Sequence, residues 1–342
     1  MLLTTVVPVY NVEAFLRDGL DTLLGQNLPD GSHEVVLVDD GSSDSSGAIC
    51  DEYARAHPGV FRVLHTPNRG VSTARNLGIS EARGTYIHFM DPDDRIAHGA
   101  YGFLLDLFSD RKPDYIGFRG HIADMRHGAV NDPAAKMLPD KCSVIYDGDG
   151  YDLIKKAKVS TTVWNGLYRK SFLCSHSIGF DNDMAIAEDA EFNLRVMEHH
   201  PHAVVTNSMA YIYCMREGSA VRKNDRKRAA VWMASYLKYF ATVNSLVSRD
   251  STLMKPLRGC LDTAALNLTA KLLAIGIPRD EFARLSRTLT HMHTVPTTGE
   301  GAWLKFVNCL YGHPGLYPFM SFVYRNFFIP VVYPMILPII SR

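Results

Sequence analysis

Five short apolar runs rich in β-branched residues, separated by helix-length stretches, limit what the first 120 residues can become. The runs are Leu3–Val9, Glu34–Val38, Phe61–Leu64, Tyr86–Met90 and Tyr115–Phe118. Between them lie Ala14–Gln26, Ser45–His57, Val71–Arg83 and Ala100–Asp110. This alternation predicts βαβ units, hence an α/β fold with a mainly parallel sheet and helices on both faces. Polar residues crowd just after the first, second and fourth runs: Tyr10-Asn11, Asp39-Asp40-Gly41-Ser42 and Asp91-Pro92-Asp93-Asp94. Open α/β sheets bind ligands beyond the carboxyl ends of their strands, so the three clusters point to one shared pocket.

Further along, residues 121–160 read as loops with room for a small antiparallel excursion. A helix is expected near Asp189–His199 and a strand near Val204–Tyr213. From Arg226 to about His293 the pattern is helical in at least three segments, with breaks near Lys255-Pro256 and Gly276–Pro278. Two domains follow: 1–220 around the pocket, and a mostly helical region over 221–342.

Hydrophobic residues at 46% and charged residues at 21% exclude a disordered, collagen-like or polytopic membrane chain. Zero net charge hides an asymmetry. Residues 1–210 carry 19 Lys and Arg against 29 Asp and Glu, and residues 211–342 carry 17 against 7. The acidic front suits a cation site; the basic back suits an anionic surface. The helical part lacks a nucleic-acid-binding signature, so a lipid surface is the expectation. Six dispersed cysteines form no CxxC, which argues against structural zinc and for reduced thiols on a cytoplasmic face. Met1–Tyr10 reads as a strand rather than a signal peptide. The tail Tyr317–Ile340 is aromatic and apolar, and Phe327–Ile340 runs 14 residues without charge. A spanning helix needs about 20 apolar residues, and Pro330, Pro334 and Pro338 would interrupt one. The tail is therefore expected to anchor at the inner face of a membrane, or to pack on the core or in a homodimer.

Asp91, Asp93 and Asp94 place three carboxylates at a strand end, an arrangement that a hard divalent cation such as Mg²⁺ or Mn²⁺ relieves. A solvated turn has the same composition. Val35–Val38 runs straight into Asp39 and Asp40, with Gly41 for a turn and Ser42 to Asp44 able to cap a helix. A carboxylate there can accept from a base or a ribose hydroxyl.

Taken together, these blocks resemble the family-2 glycosyltransferases with the GT-A fold. The match runs through Val7-Pro8-Val9-Tyr10-Asn11-Val12-Glu13, Gln26 and Val38-Asp39-Asp40-Gly41-Ser42-Ser43-Asp44. It continues through Asn68-Arg69-Gly70-Val71-Ser72-Thr73-Ala74-Arg75-Asn76, Gly78, Gly84 and Phe89-Met90-Asp91-Pro92-Asp93-Asp94. A weaker likeness extends through Trp164–Leu173, Ala187–Phe192, Tyr211–Tyr213, Arg216 and Gly218-Ser219, to about residue 220.

The resemblance implies roles. Pro8, Tyr10 and Asn11 would border the nucleotide base, with Tyr10 stacking on it. Glu13 and Asp39 would contact ribose and uracil, and Arg75 the base or phosphates. Asp91 would reach the ribose or a metal-bound water, and Asp93 would ligate Mn²⁺ or Mg²⁺. Asp94 would stand behind them. Arg216 and Ser219 lie where a loop closes over the diphosphate. No further metal ligand stands out beyond the candidates His199, His200 and His202. Asp189 would be the base that deprotonates an acceptor hydroxyl, with Glu188 supporting it. By itself, Asp189 reads as a helix cap rather than a base.

Two residues depart from the family pattern. Gly166 stands where Lys often follows the Trp-Asn pair, which leaves that basic contact to another residue such as Arg169. Pro92 replaces the usual Ser or Ala within the acidic motif. The function implied is an inverting transfer of a hexose or N-acetylhexosamine from a UDP-sugar to a glycan, lipid-linked, in bacterial polysaccharide assembly. The alternative is an inactive glycosyltransferase-like scaffold or sugar-binding subunit.

Overall fold

The computed structural model describes residues 1–124, 143–215 and 226–291. Arg216, Ser219 and the tail from Tyr317 lie outside them. Two compact units emerge, one of residues 1–154 and 158–219, the other of 155–157 and 220–342.

The first unit opens with β1 (Leu3–Val9), α1 (Glu13–Leu24), β2 (His33–Asp39), α2 (Ser46–Ala56), β3 (Phe61–His65), α3 (Val71–Glu81) and β4 (Tyr86–Phe89). All four of these strands are parallel, in the spatial order β3-β2-β1-β4. All seven residues of β2 are buried. Val35 and Leu37 join Leu16, Leu20, Ile49 and Tyr53 in one core, while Val36 and Val38 meet Ala74 on the opposite face. Helices cover both faces, which is why β2 reads as an unbroken apolar run.

Then come β5 (Arg95–Ile96), α4 (Ala100–Leu107), β6 (Tyr115–Asp124), β7 (Val144–Asp149), α5 (Tyr151–Lys155), β8 (Gly166–Arg169), α6 (Lys170–Ser175), α7 (Glu188–Glu198) and β9 (His202–Met215). Beyond β4 the sheet continues β8-β6-β9-β5, with β7 also on β9. Here antiparallel pairs mix with the parallel pair β6–β9. The stretch after residue 120, read as loops with room for a small antiparallel excursion, extends β6 to Asp124 and supplies α5 and β7, which runs antiparallel to β9.

The second unit holds α8 (Arg226–Arg249), a 3-10 turn (Ser251–Leu253), α9 (Met254–Ile275) and α10 (Arg279–His291). The break after α8 falls before the expected Lys255-Pro256, because Asp250 caps the turn by accepting from Thr252 N at 3.0 Å. Pro256 sits in the first turn of α9, where its missing N–H has no intrahelical partner to lose. The second break is where the sequence puts it: Gly276 ends α9 with φ 72°, a left-handed value that glycine adopts without strain. Among the described residues no helix is long and apolar enough to cross a membrane, and the four described cysteines are free thiols.

A polar chain runs through the first core. His88 Nε2 lies 2.7 Å from the Trp164 carbonyl, which can only accept, so Nε2 carries the proton. Nδ1 then accepts from the Tyr101 hydroxyl at 2.8 Å. His33 meets Thr5 Oγ1 at 3.0 Å. Burial lowers both ring pKa values to about 4, from 6.5. Between these values the unfolded chain binds protons that the folded chain refuses, so stability falls as pH drops from 6.5 towards 4. Urea unfolding across that range should show the decline, and His88→Gln should flatten it. An equal slope in the variant counts against a neutral buried ring.

Candidate active site

The strand order reverses between β1 and β4, and the carboxyl ends of β1, β2 and β4 meet at this switch point. The three polar clusters converge here. Asn11, in a left-handed conformation with φ 51°, accepts from Ser43 N at 2.8 Å, and its own N–H donates to Ser42 Oγ at 3.2 Å. Glu13 accepts from Ser45 N at 2.8 Å, so its carboxylate braces the loop after β2. Tyr10 is 49% exposed at the end of β1, leaving its ring free to take a flat ligand, whereas Pro8 is buried inside the strand.

After β2 the two aspartates divide. Asp40 accepts from the N–H groups of Arg69 and Gly70, both at 2.8 Å, and so holds the start of α3. Asp39 accepts from Ser42 N at 3.0 Å and faces His65 at 2.8 Å. After β4, Asp94 N donates to Asp91 O at 3.2 Å, closing a turn with Pro92 at its second position. Proline suits that position, which explains the departure at Pro92. Asp94 is buried and accepts from the Tyr211 hydroxyl at 2.7 Å and Cys214 N at 2.8 Å. Burial first, then Asp91 and Asp93, push its pKa up to about 8.

Arg75, on α3, joins these parts. Its side chain is 4% exposed. One guanidinium nitrogen donates to Asp91 at 3.0 Å, and the other to Glu188 at 3.0 Å and Asp189 at 2.7 Å. Burial disfavours the cation, but Asp189, Asp91 and Glu188 more than offset this, and the Arg75 pKa is raised. Asp189 also accepts from Val163 N at 3.3 Å. Burial pushes its carboxyl up to about 8 against the pull of Arg75, and Glu188 and Asp91 act in the same direction as burial. Asp189 is the second residue of α7 and caps nothing: the N-cap is Ala187, at φ 61°, without a side-chain bond. Beneath this start of α7, Phe180 and Phe192 stack at 4.2 Å, and both meet Phe89 of β4.

Asp91 and Asp93 form an all-carboxylate pair, which fits Mg²⁺ or Mn²⁺ with phosphate and water completing the shell. Among the described residues no group of three or more His, Cys, Asp or Glu side chains gathers to hold a metal. His199, His200 and His202 stand elsewhere, at the far end of β9 from Tyr211. His200 pairs with Asp149 at 2.7 Å and His202 with Asp147 at 2.8 Å, and His199 stacks on His176.

Gly166 and Arg169 correct the expected basic contact. A Cβ at Gly166 would lie 2.4 Å from the Tyr115 ring, so no side chain fits there. Arg169 pairs in register with Tyr86, at the opposite end of β4 from Asp91, and donates to the Pro113 carbonyl at 3.2 Å. It cannot stand in for the missing lysine.

Asp91 and Asp93 after β4, the recessed Asp189 with its raised pKa, and the exposed Tyr10 ring are thus gathered around the switch point. Residues 4–158, a little under half of the chain, match the model of "Glycosyl transferase family 2", and it is this segment that carries the family likeness. The chain is 33% identical over 214 residues to the uncharacterized glycosyltransferase EpsJ of Bacillus subtilis (strain 168). That match covers 62% of this chain and 60% of EpsJ. It is 29% identical over 217 residues to the poly(ribitol-phosphate) beta-glucosyltransferase of Bacillus spizizenii, covering 63% of this chain and 32% of that protein. The structure of S. aureus TarS 1–349 in complex with UDP-GlcNAc superposes with a TM-score of 0.56 at 18% identity, covering 95% of this chain and 92% of that one. At that identity the likeness is one of fold.

Arg75→Met would leave three carboxylates, each less than a third exposed, without their cation. The expected cost is about 3–5 kcal/mol of stability near neutral pH. The loss should shrink as the pH falls through the raised Asp189 value of about 8, so urea midpoints of variant and wild type should converge on acidification. Parallel curves would show that the charges are not coupled through Arg75.

Proposed function

We propose that this chain is an active, inverting glycosyltransferase that uses a UDP-sugar to extend a bacterial cell-surface glycan. One observation carries the proposal: a single buried guanidinium ties Asp91, at the nucleotide edge of the sheet, to Glu188 and Asp189 on α7. Donor and acceptor functions thereby face each other across a few ångströms. The UDP-GlcNAc complex of the TarS fold and the names of the matched relatives support the donor and the glycan class.

In this reading Tyr10 stacks on the base and Asp39 accepts from base or ribose. Asp91 and Asp93 would hold a divalent cation, which when bound would supply positive charge for the leaving diphosphate. Asp189 takes the proton of the acceptor hydroxyl as that oxygen attacks the anomeric carbon from the face opposite the diphosphate. A base with a pKa near the working pH combines availability with proton affinity, and the raised Asp189 value meets that need. Arg75 keeps the Asp189 carboxyl oriented, and Glu188 shares the guanidinium. The basic back half and the charge-free run Phe327–Ile340 support a lipid-linked acceptor at the membrane face. Deleting residues 317–342 should then release the protein from membrane fractions.

Asp189→Asn should lower kcat by about 10²–10⁴-fold and leave UDP binding intact. The acid limb of the wild-type kcat/KM profile should rise towards about pH 8, above the ordinary carboxylate range. A variant that retains full turnover removes Asp189 from the reaction. UDP-sugars with Mn²⁺ should raise the melting temperature, by about 2.7 kcal/mol of stabilisation at a hundredfold excess over Kd. A panel in which GDP- or CDP-sugars do so instead would reassign the donor.

A further inference from the structure

β2 and β3 end side by side, with Asp39 and His65 in register. There the His65 ring bridges two carboxylates. Nδ1 lies 2.8 Å from Asp39 Oδ2, and Nε2 lies 3.1 Å from Asp51 Oδ1 on α2. A neutral imidazole offers one N–H and one lone pair, so it serves only one of them. The imidazolium alone donates to both. Asp39 is the recessed member, its side chain 8% exposed against 50% for His65, and its other oxygen already accepts from Ser42 N.

Helix α2 crosses very close to this contact. A Cβ at Gly47 would stand 2.9 Å from Asp39 Oδ2 and 3.7 Å from His65 Cε1, so only glycine leaves the bridge undisturbed. The ring meets Asp39 from β2 and Asp51 from α2, and Cys50 of α2 feels both of these carboxylates and Asp44. Burial, with Asp39 and Asp51, pushes the Cys50 thiol up to about 12, so it stays neutral. Asp44 is occupied by the N–H groups of Ser46 and Glu13. The bonds to Asp39 and then Asp51 raise the His65 pKa above 6.5.

We propose that His65 is a positioning residue for the nucleotide donor: as an imidazolium it clamps Asp39 in place and offsets one negative charge at the edge where the nucleoside binds. This rests on reading Asp39 as a contact of the base or ribose. When the proton leaves, the ring can donate to only one of the two carboxylates, the bridge is broken, and the acidic edge gains a charge. The donor then binds more weakly, although no group that touches the reacting atoms has changed.

Calorimetric titration of the full chain with UDP in Mg²⁺ at about pH 6 and about pH 9 tests this. His65→Gln should bind UDP roughly two- to fivefold more weakly than wild type at the lower pH, and equally at the higher. Asp51→Asn should move the wild-type transition to lower pH. A second measurement needs no variant: by linkage, saturating UDP should raise the pKa of the His65 ring followed by NMR. Identical pH dependence in wild type and His65→Gln, or a ring pKa indifferent to UDP, overturns the clamp and leaves the nucleotide reading standing. Failure of wild type to bind UDP at any pH overturns both.

Discussion

The structure turns on one buried cation. A guanidinium removed from water must be surrounded by compensating charge, and Arg75 finds it in three carboxylates from separate parts of the chain. The requirement is mutual. Asp91 follows β4, Glu188 and Asp189 open α7, and none of the three could sit so close to the others without the cation between them. The same contact that makes the fold consistent also sets the distance between the two halves of the site. Phe180 lies beneath the guanidinium, 5.2 Å from it, and joins the aromatic stack that seats α7 on β4.

The sheet supplies the rest of the placement. Parallel strands deliver their carboxyl ends to one edge, and the reversal of order between β1 and β4 opens a crevice there. Side chains at this edge are of two kinds. Some, such as Asp40, Glu13 and Asn11, spend their acceptors on backbone N–H groups and hold loops in shape. Others, such as Tyr10, present themselves to solvent. Sequence motifs merge the two kinds; hydrogen-bond partners separate them.

Much of the first half was legible in the sequence. β1 to β4 and their helices fall within two or three residues of the apolar runs, because burial on both faces leaves an unbroken signature. The short elements β5, β8 and α6 were not legible: two to six residues carry no period. The role of Arg75 was only half legible. Its position in the Ala-Arg-Asn block marked it as important, but burial of an arginine depends on partners more than a hundred residues away. Asp189 by itself looked like a cap, and the position of Ala187 before it sets that reading aside. His65 gave no signal at all, since its meaning comes from register with Asp39 and from the passage of Gly47.

The Tyr115 ring beneath Gly166 has a consequence for how such a chain can diversify. A lysine introduced at 166 alone collides with an aromatic side chain that is itself buried between β6 and β8. A small residue introduced at 115 alone opens a void in the core. Either single step is a loss, so a lineage could cross between the two forms only by changing both positions together. Any engineered side chain at 166 therefore starts from a coupled pair.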